Sequence, residues 1–421
     1  MRIGLFTDTY PPFINGVSTS IAMLESALRK LGHDVYVVTV NPDNMSYDFD
    51  SDEHIIRLPG IPIGIYDYRL TGIYPLKAIN KIKEWNLDII HSHTEFGVGT
   101  FARIMAKQLD IPIVHTYHTM YEDYVHYITK GHFDAASKKA LEYFTKFYCD
   151  KTVTELIVPT KKTYDLFKKK YEYDRNIHIV PTGIEVERFY KENNSEIKTE
   201  ELRKKYNIKA EDFIVLFVGR LASEKNVTFL INNQIELIKH NKNCKLLIIG
   251  DGPDGDDFKV LTHDLGIDDN VIFTGKVPWD NIHEYYQLAS VFVSASHTET
   301  QGLTLLEAMS ASIPVVALDD EAFRDVVIDD LNGYLFKDEK QYVNYIIKLM
   351  DNPTTYNRLS RQARINGEAH SSKYYAEKVL DVYYMALGGE PSDDPNKGTF
   401  SSRMKNVIKK GLYGEKKDNY R

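Results

Sequence analysis

The stretch "LASVFVSASHTETQGLTLLEAMSASIPVVAL", residues 288–318, joins two short apolar runs through a polar loop and a segment with helical spacing. An uninterrupted run of Val, Ile and Phe is typical of a strand buried on both faces of a parallel sheet. We therefore predict a strand, a helix that begins near residues 302–304, and a second strand. This places Glu299 in the loop and Glu307, partly buried, on the second turn of the helix.

The same alternation extends along most of the chain in two series, separated by the charged stretch 191–212. The first series contains "RIGLFTD", "DVYVVTV", "DIIHSH", "PIVHTYH", "LIVPT" and "IHIVPTG", and the second contains "FIVLFVGRL", "CKLLIIGDG", "NVIFTGKV", "SVFVSAS", "IPVVALD" and "GYLFK". Two such series predict an α/β protein with two Rossmann-like, doubly wound parallel-sheet domains and a cleft between them. We assign residues 1–195 and 196–372 to these domains, 373–389 to a helix that returns to the first, and 390–421 to a basic flexible tail.

The composition excludes several classes of protein. A chain of 421 residues with a formal net charge of −8 is large enough for two domains and too acidic for a typical nucleic-acid binder. Its two cysteines, Cys149 and Cys244, lie beside apolar runs, so we expect them to be reduced and buried, as in a cytoplasmic protein. No window approaches the roughly 20 apolar residues of a membrane span, and the N-terminus lacks the apolar core of a signal peptide.

Two loops have the chemistry of a phosphate site. In "DTYPPFINGVSTS", Gly16 allows close approach of the backbone, and we expect Ser18 or Thr19 to cap the following helix. A helix N-terminus at the end of a parallel strand attracts anions. In "VGRLASEKN", Arg220 and Lys225 follow another strand and suit a diphosphate. The alternatives are a plain turn and a solvated basic loop.

Two other motifs are weaker. "GDGPDG" matches the spacing of a dinucleotide loop, but its acidic residues would repel a pyrophosphate, so we interpret it as a turn. Four histidines, His91, His93, His115 and His118, follow neighbouring strands. They lack an obvious carboxylate or cysteine that would complete a metal site. We therefore favour catalysis by one of them, His118.

The two acids of the opening stretch admit two interpretations. They are either a capping acid and a surface acid, or ligands of sugar hydroxyls. A partly buried carboxylate such as Glu307 needs hydroxyl or N–H partners, and a ribose would supply vicinal hydroxyls. Glu299 would then accept hydrogen bonds from a second sugar.

Taken in order, "NGVSTS", "VGRL…EKN", "GDGP" and the pair Glu299…Glu307 resemble the retaining GT-B glycosyltransferases of family 4 over nearly the whole chain. The resemblance implies that Arg220 and Lys225 hold the diphosphate of a nucleotide sugar, with Gly16 approaching it from the other domain. It further implies that backbone amides at Gly302 and Leu303 complete the phosphate site. Glu307 would bind the ribose and Glu299 the donor sugar, in a catalytic role. Acceptor contacts are assigned to Tyr117, His118 and Tyr121.

A narrower resemblance concerns the bacterial 1,2-diacylglycerol 3-glucosyltransferases. It rests on "MRIGLFTDTYPPFINGVSTSI", "IIRLPGIP", "HSHTEFGVGTFARIMAKQLDIPIVHTYHTMYEDYVHYI" and "ETQGLTLLEAM". It implies a UDP-glucose donor, a diacylglycerol acceptor and action at the inner face of the cell membrane. No tightly bound cofactor or protein-bound metal is expected, and Mg²⁺ is expected only as a stimulating ion from solution.

Three segments favour a peripheral contact with an anionic membrane. "KKALEYFTKFYCDK" and "KKTYDLFKKKYEY" mix lysines with aromatic residues, and "FSSRMKNVIKKGL" in the tail forms a basic amphipathic pattern. An ordinary lysine-rich surface is the alternative for each segment.

Other functions of the same fold stay open at this stage. The acceptor can instead be a glycosylated lipid, a phosphatidylinositol-like lipid or a soluble sugar, and the donor another nucleotide sugar. A nucleotide-sugar epimerase shares the two-domain shape but needs no basic segments. A sugar-binding protein without activity would give no reason for Arg220 and Lys225.

Overall fold

The computed structural model describes residues 1–13, 15–52, 54–62, 69–72, 75–118, 142–143, 145–146, 148–149, 152–297, 299 and 301–389. These residues form two compact units. One comprises Met1–Gly183 together with the helix that begins at Ser372, and the other comprises Ile184–Ser371. The units divide at 183/184, whereas the boundary expected from the sequence is 195/196. The predicted tail, 390–421, lies outside the described residues.

The first unit contains ten of the described strands. They are β1 (Arg2–Phe6), β2 (Asp34–Val40), β3 (Asp48–Phe49), β4 (Ile55–Leu58), β5 (Ile61–Pro62), β6 (Arg69–Leu70), β7 (Ile89–Ser92), β8 (Ile113–Thr116), β9 (Glu155–Val158) and β10 (Ile177–Ile179). Eight of them form one sheet in the order β10-β9-β8-β7-β1-β2-β4-β3, and β5 pairs with β6 separately. Neighbours in the large sheet are parallel except for β3, which is antiparallel to β4.

Helices connect the parallel strands of the first unit. They are α1 (Gly16–Lys30), α2 (Leu76–Glu84), α3 (Gly97–Leu109) and α4 (Lys161–Asp165), and α4 continues as a π-helical turn over Leu166–Lys170. Alternate residues of the strands enter different apolar clusters. Leu5 and Val37 pack with α1, whereas Phe6 and Val38 pack with α3. The sheet is therefore covered on both faces, as its continuous Val and Ile runs predict.

The second unit repeats this plan with a six-stranded, wholly parallel sheet in the order β13-β12-β11-β14-β15-β16. Its strands are β11 (Phe213–Val218), β12 (Cys244–Ile249), β13 (Val271–Phe273), β14 (Val291–Ser294), β15 (Val315–Leu318) and β16 (Gly333–Phe336). Its helices are α5 (Val186–Phe189), α6 (Glu196–Lys205), α7 (Val227–His240), α8 (Gly255–Asp264), α9 (Ile282–Tyr286), α10 (Leu303–Ser310), α11 (Glu321–Arg324), α12 (Glu339–Asp351) and α13 (Pro353–Glu368). Four 3₁₀ turns accompany them, at Lys191–Asn193, Ser223–Lys225, Asp268–Asn270 and Trp279–Asn281.

Strand alternation again divides the core of this unit. Ile214 and Leu216 of β11 pack in one apolar cluster with residues of α10, and Val215 and Phe217 pack in another with residues of α7. The helix over Ser372–Ala386, here α14, packs instead in the first unit, against α1. Three of its side chains, Tyr375, Val379 and Tyr383, are buried in the cluster that contains Leu5.

Two smaller expectations can be checked on the fold. Cys149 and Cys244 are both buried and are not joined by a disulfide bond, as predicted. In the part of the chain that the structure describes, we find no helix with the length and apolar character needed to cross a membrane.

Candidate active site

Two cation–carboxylate pairs lie on the loops that follow β11 and β14 in the second unit. The Arg220 guanidinium donates to the carboxylate of Glu224, and Lys225 Nζ donates to Glu299 Oε1 at 2.5 Å. The order of the sheet reverses between these two strands, and doubly wound sheets bind their ligands at the carboxyl ends of such strands. The structure therefore places Arg220, Lys225 and Glu299 where the fold favours a ligand.

The loop after β12 packs directly on the loop that carries Arg220. Gly250 has a φ of +141°, and a Cβ on it would lie 1.8 Å from the carbonyl oxygen of Gly219. Leu221 N donates to the carbonyl of Asp251, and Asp254 N donates to the carbonyl of Leu221, both at 3.0 Å. "GDGPDG" is thus a turn, as expected, and its glycines allow two backbones to meet.

The N-terminus of α10 forms the third part of this region. Gly302 caps the helix with a φ of +76°, and a Cβ on it would lie 2.7 Å from Cε1 of Phe323. The helix begins at Leu303, as the sequence predicts. First-turn N–H groups have no acceptor within their own helix and carry partial positive charge. The amides of Gly302 and Leu303 are therefore suited to an anion, and their assignment to a diphosphate stays a prediction.

Glu307 lies one turn further along α10 and is buried, more completely than the partial burial expected from the sequence. Its Oε2 accepts a hydrogen bond of 2.6 Å from the hydroxyl of Tyr286. Burial raises the pKa of Glu307 to about 7, whereas the Tyr286 hydrogen bond and the positive charge of Arg188 lower it. The carboxyl group therefore titrates near neutral pH.

Arg188 is itself fixed by several partners on α9 and on the segment before it. Its guanidinium lies over the ring of Trp279, 4.0 Å from the ring centroid, and donates to the carbonyl of Asp280 at 2.6 Å. Its Nε donates to His283 Nδ1 at 3.2 Å. The position of this positive charge is thus determined by the fold.

In the first unit, α1 begins at the predicted loop with a different cap. Asn15 is the N-cap, and its side chain accepts a hydrogen bond from Ser18 N at 2.9 Å. The expectation that Ser18 or Thr19 caps the helix is wrong because the helix already begins at Gly16. Gly16 has open space where a side chain would begin, with no atom within 4 Å. Its role in donor binding stays a prediction.

The four predicted histidines do meet at the ends of β7 and β8. His93 Nδ1 lies 2.9 Å from His118 Nε2, and the two rings stack at 5.2 Å. His91 bridges the hydroxyls of Tyr383 and Thr116, at 2.7 Å each. Burial lowers the pKa of His118 to about 3, with a further contribution from His115. His118 is therefore neutral at pH 7, so it can orient a hydroxyl but holds no proton to give as an imidazolium.

The other two residues assigned to the acceptor are Tyr117 and Tyr121. Tyr117 has no exposed surface, and its ring packs edge-on against Phe167 at 5.0 Å in an apolar cluster. The side chain is thus enclosed by the core in this structure, and its assignment to acceptor binding stays a prediction. Tyr121 lies outside the described residues.

The acids and histidines do not gather into a metal site in the described ranges, where no group of three or more His, Cys, Asp or Glu is placed to hold an ion. His115 instead pairs through Nε2 with Glu95 Oε1 at 3.0 Å, and through Nδ1 with Ser92 Oγ at 2.8 Å. All three side chains are buried. These hydrogen bonds connect β8 to β7 and to the loop that follows β7.

Sequence reasoning missed the residues that hold the predicted ones in place. Glu224 is buried beside Arg220, Tyr286 holds Glu307, and Arg188 acts on Glu307 from α5. Arg220 and Glu224 lie four residues apart, but this spacing predicts a contact only within an α-helix, and the segment is a loop that enters a 3₁₀ turn. The contacts of Tyr286 and Arg188 join distant segments and leave no such pattern.

Comparison with known families agrees with the division of the chain. The family described as "Glycosyltransferase Family 4" matches residues 14–188, and the family described as "Glycosyl transferases group 1" matches residues 198–366. The two matches lie one after the other and together contain every strand of both sheets except β1.

Two characterised relatives carry the same name. The alpha-monoglucosyldiacylglycerol synthase of Acholeplasma laidlawii is 35% identical over 388 residues, which are 91% of this chain and 96% of that protein. The alpha-monoglucosyldiacylglycerol synthase of Streptococcus pneumoniae is 36% identical over 352 residues, 83% of this chain and 78% of that protein.

Solved structures show the same fold at low identity. Anabaena Alr3699/HepE in complex with UDP superposes with a TM-score of 0.69 at 16% identity, covering 91% of this chain and 100% of that one. Sucrose-phosphate synthase from Thermosynechococcus elongatus gives a TM-score of 0.71 at 19% identity, covering 92% and 99%.

Proposed function

The chain belongs to the family 4 glycosyltransferases of the GT-B fold, and from this premise we propose that it transfers glucose from UDP-glucose to the 3-hydroxyl of 1,2-diacylglycerol. The observation that carries the donor half is the placement of Lys225 and Glu299 together at the switch point of the second sheet. The acceptor half is supported by the name shared by two relatives that match most of the chain.

The second unit supplies the donor contacts in this proposal. Arg220, Lys225 and the amides of Gly302 and Leu303 bind the diphosphate, because they combine full positive charges with a helix N-terminus. Glu307 accepts hydrogen bonds from the ribose hydroxyls. Glu299 accepts hydrogen bonds from the glucose hydroxyls. These replace its contact with Lys225 when the donor binds.

The reaction proceeds with retention of the anomeric configuration. The bond between glucose C1 and the diphosphate oxygen breaks, and the bond between C1 and the acceptor oxygen forms on the same face. The acceptor's proton passes to the departing diphosphate, whose new charge is stabilised by Arg220 and Lys225. His118, neutral at pH 7, orients the acceptor or the sugar through a hydrogen bond.

Access to a lipid acceptor is assigned to a peripheral contact with an anionic membrane. Within the described residues, Lys161 and Lys169 of the α4 region have side chains 66% and 75% exposed, and Tyr143 is 75% exposed. Lysines and aromatic side chains of this kind favour the surface of an anionic bilayer. Lys138, Lys139, Lys151 and the basic residues of the tail, which were also invoked for this contact, lie outside the described residues.

A product assay tests the proposal. Purified protein is mixed with radiolabelled UDP-glucose and micelles containing diacylglycerol, with and without an anionic lipid, and the organic phase is analysed. We expect label in a monoglucosylated lipid, more of it with the anionic lipid, and anomeric configuration retained by NMR. Activity is expected to persist in EDTA, with Mg²⁺ acting at most as a stimulating ion.

The control reactions separate the parts of the proposal. UDP-galactose and a glycosylated diacylglycerol replace donor and acceptor in turn. Label in the aqueous phase alone, attached to a soluble sugar, contradicts the lipid acceptor but keeps the donor site. Conversion of the donor without any acceptor indicates an epimerase and contradicts the transferase reaction.

A further inference from the structure

One buried tyrosine acts on the proposed ribose-binding acid. Tyr286 is the last residue of α9, and its side chain has no exposed surface. Its ring packs edge-on against Phe189 at 5.3 Å and lies parallel to Phe292 at 6.1 Å. Because the ring cannot turn away, its hydroxyl points to Glu307 Oε2 at a fixed distance of 2.6 Å.

The contact leaves one carboxylate oxygen available. Among the described residues, Oε2 of Glu307 is the oxygen that receives a hydrogen bond, and Oε1 receives none. A hydroxyl that donates to one oxygen fixes the plane of the carboxylate and favours its ionised form. An ionised carboxylate of fixed orientation is what two neighbouring sugar hydroxyls need as their acceptor.

We propose that Tyr286 is a positioning residue that holds the Glu307 carboxylate in the orientation that receives the ribose hydroxyls of the donor. The inference rests on the proposed function, in which Glu307 binds the ribose. Tyr286 touches neither the substrate nor the reacting atoms. Its hydroxyl also lies 3.4 Å from the carbonyl oxygen of Thr304, but its shorter contact is with Glu307. Through Glu307 it contributes to donor affinity rather than to the chemical step.

The charged surroundings of Glu307 support this role. Tyr286 on α9 and Arg188 on α5 both favour its ionised form, and burial opposes them. No other titratable group in the described part of the chain acts on its pKa, including those of α13, which packs along α10. Without the Tyr286 hydroxyl, only the positive charge of Arg188 would oppose the rise in the pKa of Glu307 that burial causes. A larger fraction of Glu307 would then be protonated at neutral pH.

The test compares two nucleotides on two variants of the full chain. Binding of UDP and of 2′,3′-dideoxyuridine diphosphate is measured by calorimetry between pH 6 and pH 9. For Tyr286→Phe we expect about tenfold weaker binding of UDP at pH 7, on the scale of one hydrogen bond to a charged group. The affinity for the dideoxy nucleotide is expected to stay within about twofold of that of the unmodified chain. This nucleotide lacks the hydroxyls that would donate hydrogen bonds to Glu307.

Tyr285→Phe is the matched control, because it removes the neighbouring hydroxyl, which faces Tyr206 at 3.4 Å instead. This variant is expected to bind both nucleotides as the unmodified chain does. The weakening in Tyr286→Phe should also diminish as the pH rises, since Glu307 ionises without help at high pH. A variant that merely disturbs packing would weaken both nucleotides at every pH.

The outcomes distinguish the inference from its premise. If Tyr286→Phe keeps the full preference for UDP over the dideoxy nucleotide, the positioning role is wrong while the donor site stands. If the unmodified chain shows no preference between the two nucleotides, Glu307 does not bind ribose and the inference falls with that assignment. Loss of the preference in Tyr286→Phe, and not in Tyr285→Phe, is the supporting result.

Discussion

The pair formed by Lys225 and Glu299 joins two proposed ligand groups before any ligand is present. The ammonium neutralises the carboxylate at 2.5 Å, so neither charge is left unpaired in a largely enclosed place. Donor binding must replace this contact with one from the diphosphate and another from the sugar. The pair thus keeps both groups in position while the site waits for its substrate.

We predict that Glu299→Ala abolishes turnover while UDP binding is kept or slightly strengthened. The change removes the proposed contact to the donor sugar and frees Lys225 for the diphosphate. Steady-state rates and calorimetry with UDP measure the two effects. Glu236→Ala, which breaks the surface pair with Lys239, is the control and should alter neither. Activity at the level of the unmodified protein would contradict the assignment of Glu299.

Burial of Glu307 also lowers the free energy of unfolding, by an amount that depends on pH. Its pKa is about 7 in the folded protein and about 4.5 when unfolded, so the folded state binds a proton more tightly. Ionisation of Glu307 therefore destabilises the fold progressively from pH 4.5 to pH 7, and fully above pH 7. At 1.36 kcal/mol per pKa unit the loss is on the order of 3 kcal/mol.

We accordingly predict that Glu307→Gln is more stable than the unmodified chain at pH 8, and that the difference shrinks toward pH 5. The amide keeps an acceptor for Tyr286 but carries no charge to bury. Denaturant unfolding of both proteins at several pH values measures the difference. A constant offset across this pH range would show that ionisation of Glu307 is not its cause.

The residues of the proposed donor site were predictable from sequence only where chemistry and spacing coincide. Arg220, Lys225, Glu299 and Glu307 stand out because charged groups follow apolar strands at fixed offsets. Asn15 was passed over as the cap because the glycine after it suggested a turn, whereas the helix begins at that glycine.

At the scale of elements, the start of α10 depends on Gly302. Its φ of +76° is unfavourable for a side chain, and the ring of Phe323 occupies the space that a Cβ needs. We predict that Gly302→Ala lowers stability by about 1–3 kcal/mol and weakens UDP binding, because the helix N-terminus must shift. Thermal unfolding and nucleotide calorimetry measure the two losses.

Gly266→Ala is the matched control for that prediction. Gly266 has a similar φ of +67°, but nothing lies within 4 Å of where its Cβ would be. The Gly266→Ala variant should therefore show the backbone strain, but no collision of the new Cβ with a neighbouring side chain and no loss of UDP affinity. Equal effects of the two substitutions on binding would mean that the start of α10 does not contribute to the site.

Long elements were predicted well, and short ones were not. Every apolar run chosen from the sequence became a strand, from β1 and β2 to β15 and β16, because continuous Val and Ile leave little choice in a parallel sheet. The four-residue strand β4 and the two-residue strands β3, β5 and β6 were not foreseen. Two residues contain no periodicity, so only tertiary contacts determine such pairings.

At the scale of the whole molecule, the net charge of −8 opposes binding to an anionic membrane. The proposed contact therefore depends on where the basic residues lie on the surface. We predict that Lys161→Gln with Lys169→Gln weakens binding to vesicles containing anionic lipid by about tenfold or more, at roughly 1 kcal/mol per lysine. Binding to neutral vesicles should not change. Vesicle flotation measures both.

The control for this prediction is a pair of lysines in the second unit. Lys239 and Lys259 are 66% and 59% exposed and each pairs with a nearby acid, as Lys161 and Lys169 both do with Asp165. Lys239→Gln with Lys259→Gln makes the same change in net charge. Equal losses for the two double variants would indicate a general effect of charge and contradict a contact through α4.

The packing of α14 against α1 has a consequence for how the chain is made. The first unit lacks Tyr375, Val379 and Tyr383 of its core until Ser372–Ala386 has been synthesised, although its other residues end at Gly183. At 5–20 residues per second, a ribosome needs roughly 10–40 s to cover that interval. During this time the part of α1 that packs against α14 is uncovered while the second unit is already being built. We therefore expect the nascent first unit to expose apolar surface that a chaperone can bind, until α14 has been synthesised and covers it.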